Sequence, residues 1–359
     1  MNQEKHPASS TRKLFGAVHD FIAVHPGLDE NGVDLMTYFA FAALFPECAR
    51  IWPFVSVVTN DSAASTLFLR ILKFIFAQPV HLAELTLAGL LSLPESQDQV
   101  LLIDQPTPSK ELLRVLRLVS RPGACVPWKG QLLEIFRPVV LCTTESLNDP
   151  WLLEQGIQIP LIPTRNALPK FDLESAADTS QRIRARLHEY REENLAKVHN
   201  SRFDAPEFSS PTREIAASLG CCIVDDTELQ ARVTSLLRDQ EKESRVRRTN
   251  SPEAVVLEAG LFLCHEPRRA RALAGEFATI ANGILQGRGE SIELEPRAVG
   301  GILSSRGLFT QRLGRSGRGI VLTRENRRKI HELAWAFDVR SLEDTVKRCE
   351  FCFDTQVRI

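Results

Sequence analysis

The sequence predicts a helix-rich chain in three parts: an α/β core in which helices flank a parallel sheet, an all-helical bridge, and a smaller C-terminal α+β domain. Short apolar runs such as 54–58 alternate with helical patterns early in the chain, as is typical of parallel strands buried on both faces. Charged helical patterns fill 172–242. The C-terminal part then combines short apolar helices with a glycine-rich hairpin pattern.

Composition limits the classes of protein that fit. The chain has 359 residues, 43% hydrophobic and 25% charged, which suits a globular protein of two or three domains. Its net charge of −1 means that any nucleic-acid surface has to be local. The polar start lacks a signal-peptide core, and the apolar stretch 35–45 is shorter than the ~20 residues of a membrane span. We therefore expect a cytoplasmic protein without membrane contact.

The predicted core follows a regular order. Helices are expected over 11–24 and 32–45, then a strand, a polar loop and a helix over 54–76. An apolar strand over 100–105 and another over 139–144 follow, with helices expected over 81–93 and 110–119. Between the last two strands, 124–136 has the pattern of a hairpin that turns at 129–130. Prolines near 165 end this part.

The stretch 54–70 has the outline of a phosphate-binding loop, G-x-x-x-x-G-K-[ST]. Thr59 and Ala64 stand at its glycine positions and Ser65 at its lysine position, so only Thr66 matches. A helix starting after Thr66 would still attract an anion weakly through its free N–H groups.

Two further strands end in residues that suit the same chemistry. Asp104 stands where such an ATPase has its magnesium-organising acid, but Gln105 replaces the acid that would polarise water. Thr144 ends the third strand, where a phosphate-sensing polar residue would lie.

Over 32–164 the chain resembles the P-loop (AAA+-like) ATPase domains of replicative helicase and primase-helicase proteins of phages, plasmids and other mobile elements. That family tends to carry an arginine after the third strand that completes a neighbour's site, and 151–157 has none. The resemblance, with lysine, catalytic acid and arginine all missing, predicts a scaffold without useful ATPase activity and without a cofactor. The alternatives are a weak ATP and magnesium binder, a working ATPase that obtains its missing groups elsewhere, and an unrelated α/β core.

The bridge is assigned to 166–250. Helices are predicted over 172–199, 211–219 and 226–242, and the basic, polar stretch 242–250 is interpreted as a linker. Residues 1–31 form an N-terminal helical segment, 32–165 the core, 251–345 the C-terminal domain and 346–359 a tail.

The C-terminal domain has a specific layout of elements. Helices are expected over 252–264, 270–285, 296–305 and 324–337, with a hairpin over 308–323 whose turn is the glycine-rich stretch 314–319. This order resembles a winged helix-turn-helix domain, which implies DNA binding or, alternatively, a protein-interaction module.

Charge in this domain favours nucleic acid. Between 297 and 329 there is one acid, Glu325, and the candidate DNA-binding residues are Arg297, Arg306, Arg312, Arg315, Arg318, Arg324, Arg327, Arg328 and Lys329. Such residues contact phosphates, the hairpin arginines suit a minor groove, and the helix 296–305 suits a major groove. That helix offers few base-reading side chains, which favours recognition of shape over sequence.

The eight cysteines are scattered. The pair Cys349-x-x-Cys352 has metal-ligand spacing, but a closed zinc site needs four ligands and no second paired cluster appears in the sequence, so we expect no metal. The resulting prediction is a DNA-binding protein with an inactive ATPase-like scaffold, serving replication or maintenance of a mobile element. Duplex DNA is the expected partner, with a homo-oligomer or a replication protein as further possibilities.

Overall fold

The computed structural model describes residues 9–94, 99–147, 149–162, 172–266, 268–339 and 349–352, without the side chains of 173 and 316. The chain divides into two compact units, Met1–Glu241 and Lys242–Ile359. Within the described residues, no helix combines the length and the apolar character that a membrane crossing requires.

The first unit contains a five-stranded parallel sheet. Its strands are β1 (Phe54–Val58), β2 (Gln78–Leu82), β3 (Gln99–Asp104), β6 (Val139–Thr143) and β7 (Gly156–Pro160), and their order across the sheet is β2-β3-β6-β1-β7. A separate hairpin consists of β4 (Cys125–Trp128) and β5 (Gln131–Glu134). The predicted parallel sheet and the hairpin are therefore confirmed, and the three strands that carry the ATPase resemblance lie side by side.

Helices cover both faces of this sheet. They are α1 (Ser10–Ile22), α2 (Glu30–Ala42), α3 (Ser62–Ile75), α4 (Leu87–Leu90), α5 (Lys110–Val119), α6 (Pro150–Gln155), α7 (Leu173–His199), α8 (Ser210–Gly220) and α9 (Thr227–Thr249). Because strand side chains alternate between faces, Val55 and Val57 join the core with α1 to α3, whereas Phe54 joins the core with α5. This double burial explains why the strands are apolar at nearly every position.

The helix predicted over 81–93 was wrong. Residues 78–82 form β2 and pair with β3 along their whole length, and only Leu87–Leu90 is helical. The reason is position: β2 is an edge strand, where Pro79 is tolerated although it lacks a donor. Strand β7, on the opposite edge, was not predicted at all.

The helices assigned to a bridge share the core of the first unit. Buried Ile183, Tyr190, Leu219 and Val233, which lie on α7, α8 and α9, pack in the same cluster as the residues of α1 to α3. The stretch 242–250, interpreted as a linker, is helical through Thr249 as the end of α9.

The second unit surrounds its own hydrophobic core. Its elements are α10 (Pro252–His265), β8 (Arg271–Leu273), α11 (Ala274–Gly287), α12 (Pro296–Ser305), β9 (Gln311–Arg312), β10 (Arg318–Val321) and α13 (Arg324–Ala336). The predicted hairpin is confirmed as β9 paired with β10.

The start of the helix predicted from 270 needs correction, because 271–273 form β8. This strand pairs with β10 so closely that a Cβ on Gly319 would lie 2.2 Å from the Ala272 carbonyl oxygen. Glycine is therefore required at 319 for the third strand to pair.

Candidate functional site

The carboxyl ends of β1, β6 and β3 bring the nucleotide-site positions to one edge of the sheet. The Thr59 N–H donates to the Thr143 carbonyl at 2.9 Å, and the Gln105 N–H donates to the Cys142 carbonyl at 3.1 Å. Thr144 donates from both its N–H and its hydroxyl to the Pro106 carbonyl, each at 3.2 Å. Thr59, Asp104, Gln105 and Thr144 thus lie together as the order of strands requires.

The helix after β1 does not start after Thr66, as expected, but at Ser62. Three residues, 59–61, connect strand and helix, so no loop is left to surround a phosphate. Asp61 caps the helix, since its carboxylate accepts from the Ala63 N–H at 2.9 Å and the Ala64 N–H at 3.2 Å. A negative charge of the chain itself therefore occupies the helix N-terminus where a phosphate would bind.

The hydroxyl that approaches the acid belongs to Ser65 and not to Thr66. Ser65 is buried, and its Oγ lies 3.4 and 3.3 Å from the two carboxylate oxygens of Asp104. The Thr66 hydroxyl donates instead to the Ser62 carbonyl at 2.8 Å and is exposed. The one residue that matched the phosphate-loop pattern is therefore turned away from Asp104. Gln105 is likewise engaged, since its Oε1 accepts from the Leu85 N–H at 3.0 Å.

His25, in the connection between α1 and α2, contacts the first turn of α3. Its Nδ1 accepts from the Gly27 N–H at 3.1 Å, which leaves the proton on Nε2 to donate to the Ala64 carbonyl at 3.0 Å. Burial lowers the pKa of His25 below its usual range, so the imidazole is neutral. No sequence pattern pointed to this residue, because its partners are backbone groups.

The second unit has a groove of about 720 Å³ among the N-terminal turn of α11, the helix α12 and the β9–β10 hairpin. Arg297 and Arg318 line this groove from two different elements. The α12 side of the groove is Gly300, Gly301 and Ser304. A Cβ added to either glycine would meet no atom within 4 Å, so this face of the helix is open to close approach.

The nine candidate basic residues fall into two groups. Within the described part of the chain, four exposed arginines make no hydrogen bond or ion pair: Arg297, Arg312, Arg315 and Arg328. Arg318 is also exposed and uses one nitrogen to donate to the Thr310 carbonyl at 2.9 Å. These five are available to an anionic partner.

The other four basic residues take part in contacts inside the unit. Arg327 donates to the Leu322 carbonyl at 3.1 Å and to the carbonyls of Cys264 and Arg269. Lys329 donates to the Gly307 carbonyl at 3.0 Å, just after α12.

Arg306 and Arg324 lie next to acidic side chains. Arg306 lies 3.8 Å from the Glu253 carboxylate and stacks over the Phe337 ring at 5.1 Å. Arg324 lies 3.8 Å from Glu350. The basic character expected over 297–329 is therefore concentrated on the groove, the hairpin and one side of α13.

A second cluster in this unit was missed by sequence reasoning. Cys349 and Cys352 lie beside His265, at the end of α10, and His331, on α13. The two thiols therefore do have two further potential ligands, contrary to the expectation from the sequence. His265 and His331 are 66 residues apart and were unremarkable in the sequence. Only the packing of α10 against α13 brings them together.

Comparison with known proteins adds little to this geometry. No protein-family model and no curated protein matches the sequence. Among solved structures, the chain aligns with a chain of the structure titled "Structure of Drosophila ORC bound to DNA" at 12% identity, over 92% of this chain and 94% of that chain. The TM-score is 0.21, too low to argue for a shared architecture.

Proposed function

We propose that this protein binds duplex DNA through its second unit, a winged helix domain, and that its first unit is an ATPase-like scaffold that does not hydrolyse ATP. By the family resemblance, the setting is replication or maintenance of a mobile genetic element. The observation that carries the proposal is the groove in the second unit. Arg297 and Arg318 line this groove, and Gly300 and Gly301 leave its α12 side open to close approach.

The element order of the second unit supports the winged helix assignment. Helix α12 corresponds to a recognition helix and the β9–β10 hairpin to the wing. Arg315 lies in the 3-10 turn Gly314–Ser316 at the tip of this hairpin, and Arg312 and Arg318 lie on its strands. These side chains would contact phosphates on either side of α12, or a minor groove at the wing tip.

The glycines of α12 support backbone or shape recognition. Gly in a helix interior costs up to about 1 kcal/mol relative to Ala, and packing inside the unit does not require Gly300 or Gly301. Their use is explained if the sugar-phosphate backbone approaches this face more closely than a methyl group would allow.

The absence of ATP hydrolysis is supported by the helix cap of α3. The Asp61 carboxylate takes the N–H groups that a phosphate would use, and like charges repel. The loop of three residues is also too short to surround a phosphate group.

The test is duplex binding by the full chain, measured by fluorescence anisotropy at about 0.05 and 0.2 M salt. We expect the Arg297→Ala/Arg318→Ala variant to bind at least about tenfold more weakly, equivalent to ~1.4 kcal/mol. Because each phosphate contact contributes about 0.9 to the log–log salt slope, loss of two should reduce it by roughly 1.8.

The matched control is Arg186→Ala/Arg238→Ala, which removes the same charge from exposed positions on α7 and α9. The proposal fails if both double variants lose affinity equally, since binding would then depend only on net charge. Unchanged anisotropy of the duplex, together with salt-insensitive association with a protein, would instead favour an interaction module.

A further inference from the structure

Four potential metal ligands converge at one point in the second unit. His265 Nε2 lies 3.2 Å from His331 Nε2 and 3.2 Å from Cys352 Sγ, and Cys349 Sγ lies 3.3 Å from His331 Nε2. All four atoms lie within 4.8 Å of one another. They come from three separate parts of the chain, so this convergence is a result of the fold and not of local spacing.

The distances fit a tetrahedral metal ion. With Zn–N bonds of about 2.05 Å and Zn–S bonds of about 2.3 Å, the edges of a ligand tetrahedron are roughly 3.3 to 3.8 Å. Three of the six distances between these atoms are 3.2 to 3.3 Å, close to the short end of that range, and the other three are within 4.8 Å. An ion at the centre would bind both imidazole Nε2 atoms, which lie 3.2 Å apart, in place of a hydrogen bond between the two rings.

The surrounding contacts prepare His331 as a ligand. Its Nδ1 lies 2.7 Å from the Arg327 carbonyl, so the ring proton is held there and the Nε2 lone pair faces the cluster. Such a backbone acceptor is the usual way in which a metal-binding histidine is oriented. Arg327 itself is fixed by three carbonyls, which makes this support rigid.

The chemistry of the donors selects among metals. Two thiolates and two imidazoles in tetrahedral positions favour zinc over magnesium, calcium or manganese, which prefer oxygen ligands. Four protein ligands close the coordination sphere, as in structural zinc sites, and leave no open position for substrate.

We propose that His265, His331, Cys349 and Cys352 bind one structural zinc ion. The ion attaches the 349–352 segment to α10 and α13. Two further contacts lie along the same path: the Phe351 ring packs 5.6 Å from the His331 ring, and Glu350 lies 3.8 Å from Arg324. Zinc binding would therefore hold the 349–352 segment against α13.

The test measures metal in the full chain after removal of any purification tag, by inductively coupled plasma mass spectrometry. We expect about one zinc per chain in the wild type, as a closed site binds one ion. Cys349→Ser, Cys352→Ser and His331→Ala should each lose most of it on dialysis against a moderate chelator. The controls are Cys125→Ser and His188→Ala, which change exposed residues outside the cluster and should keep their zinc.

Two measurements on the wild type keep the proposal testable if the variants fold poorly. Cobalt substitution should give the intense visible bands of a tetrahedral thiolate site. Titration with a mercurial reagent should release zinc in step with the modification of two thiols. A wild-type chain that takes up neither zinc nor cobalt stoichiometrically would overturn the proposal. A Cys349–Cys352 disulfide in the freshly purified protein would also overturn it, and so would a weak octahedral cobalt spectrum.

Discussion

Two adjacent arginines of α13 show how differently neighbouring residues of one basic stretch are used. Arg327 donates to three backbone carbonyls that belong to different segments of the second unit. Arg328 is exposed and makes no hydrogen bond or ion pair with the described residues. Their roles should therefore separate in a simple experiment.

We expect Arg327→Ala to destabilise the second unit by about 2 to 4 kcal/mol, because charge-assisted hydrogen bonds are lost and three carbonyls lose a donor. Arg328→Ala should leave stability within about 0.5 kcal/mol and weaken duplex binding instead. Urea unfolding followed by the fluorescence of Trp335, with the other three tryptophans replaced by Phe, measures the first effect, and anisotropy the second. Equal stabilities of the two variants would contradict this division.

We expect His25 to make the stability of the first unit depend on pH. Because burial lowers its pKa, the native state binds its proton less readily than the unfolded chain, whose histidine pKa is about 6.5. The stabilisation is therefore complete above about pH 6.5 and declines as the pH falls towards the native pKa. The Asp61 carboxylate is the nearby charge that opposes this shift.

We expect His25→Gln to be less stable at pH 7.5 by about 1 to 3 kcal/mol and to show a smaller loss of stability between pH 6.5 and 5 than the wild type. The measurement is urea unfolding of the full chain across that pH range. His188→Gln, at an exposed site, is the control. Parallel pH profiles for the wild type and His25→Gln would show that this residue does not titrate as argued.

Single residues were predicted from the sequence where their type alone carries the signal. Asp104, which does end β3, and the arginines of 297–318 were named in this way, and their roles stay predictions. Residues whose role depends on a backbone partner could not be predicted, as with Asp61, His25 and Arg327. Thr66 and Ser65 illustrate the same limit. Because α3 starts at Ser62, earlier than predicted, the hydroxyl of Ser65 and not that of Thr66 approaches Asp104.

Among the elements, α12 contains two glycines that lower helix stability although packing inside the unit does not require them. Gly300 and Gly301 lie in the middle of a helix of ten residues and face the groove. We expect Gly300→Ala and Gly301→Ala each to stabilise the second unit by about 0.5 to 1 kcal/mol. Each should also lower duplex affinity, because a methyl group would then stand where the proposed function places the DNA backbone.

The matched control is Gly283→Ala in α11. This glycine also lies inside a helix with no atom within 4 Å of an added Cβ, but it does not line the groove. It should give the stabilisation without the loss of affinity. Thermal unfolding measures the stability of the three variants, and fluorescence anisotropy measures their duplex affinity. If Gly300→Ala and Gly301→Ala bind duplex as well as Gly283→Ala, then α12 does not approach DNA closely.

Elements were predictable where one physical pattern dominates. The buried strands β1, β3 and β6 and the helices of the second unit have strong apolar patterns, and most were placed correctly. The edge strand β2 was not predicted, and its last two residues were assigned to a helix, because its extended form depends on pairing with residues of β3 that lie 21 positions later in the chain. Strands β7 and β8 are short and take their conformation from their neighbours, so local sequence carries little trace of them.

At the scale of the molecule, the parts of the chain and the neighbouring strands of the core could be predicted, but the meeting of side chains from separate elements of the second unit could not. Adjacency of β1, β6 and β3 follows from the family resemblance and is confirmed. The His and Cys cluster depends on a helix pair and a distant segment meeting at one point, which no spacing in the sequence encodes. The net charge of −1 likewise gives no indication of the exposed arginines of the groove and hairpin, because it is summed over the whole chain.

The scaffold assignment leads to a prediction for the whole chain. A ligand present at 100 times its Kd stabilises a protein by about 2.7 kcal/mol, which would raise the melting temperature of a unit of this size by several degrees. With Asp61 occupying the helix N-terminus, we expect about 5 mM ATP with magnesium to shift melting by less than about 1 °C and to leave duplex affinity unchanged.

An ATP hydrolysis assay separates a scaffold from a working ATPase with a non-standard loop. The latter would hydrolyse ATP in a magnesium-dependent manner and lose that activity in Asp104→Ala, because the acid at the end of β3 would organise the metal. A scaffold shows only background hydrolysis in both proteins. Asp61→Ala completes the comparison: loss of the cap should cost about 1 kcal/mol of stability without creating a nucleotide site, since the connection of three residues between β1 and α3 still cannot surround a phosphate.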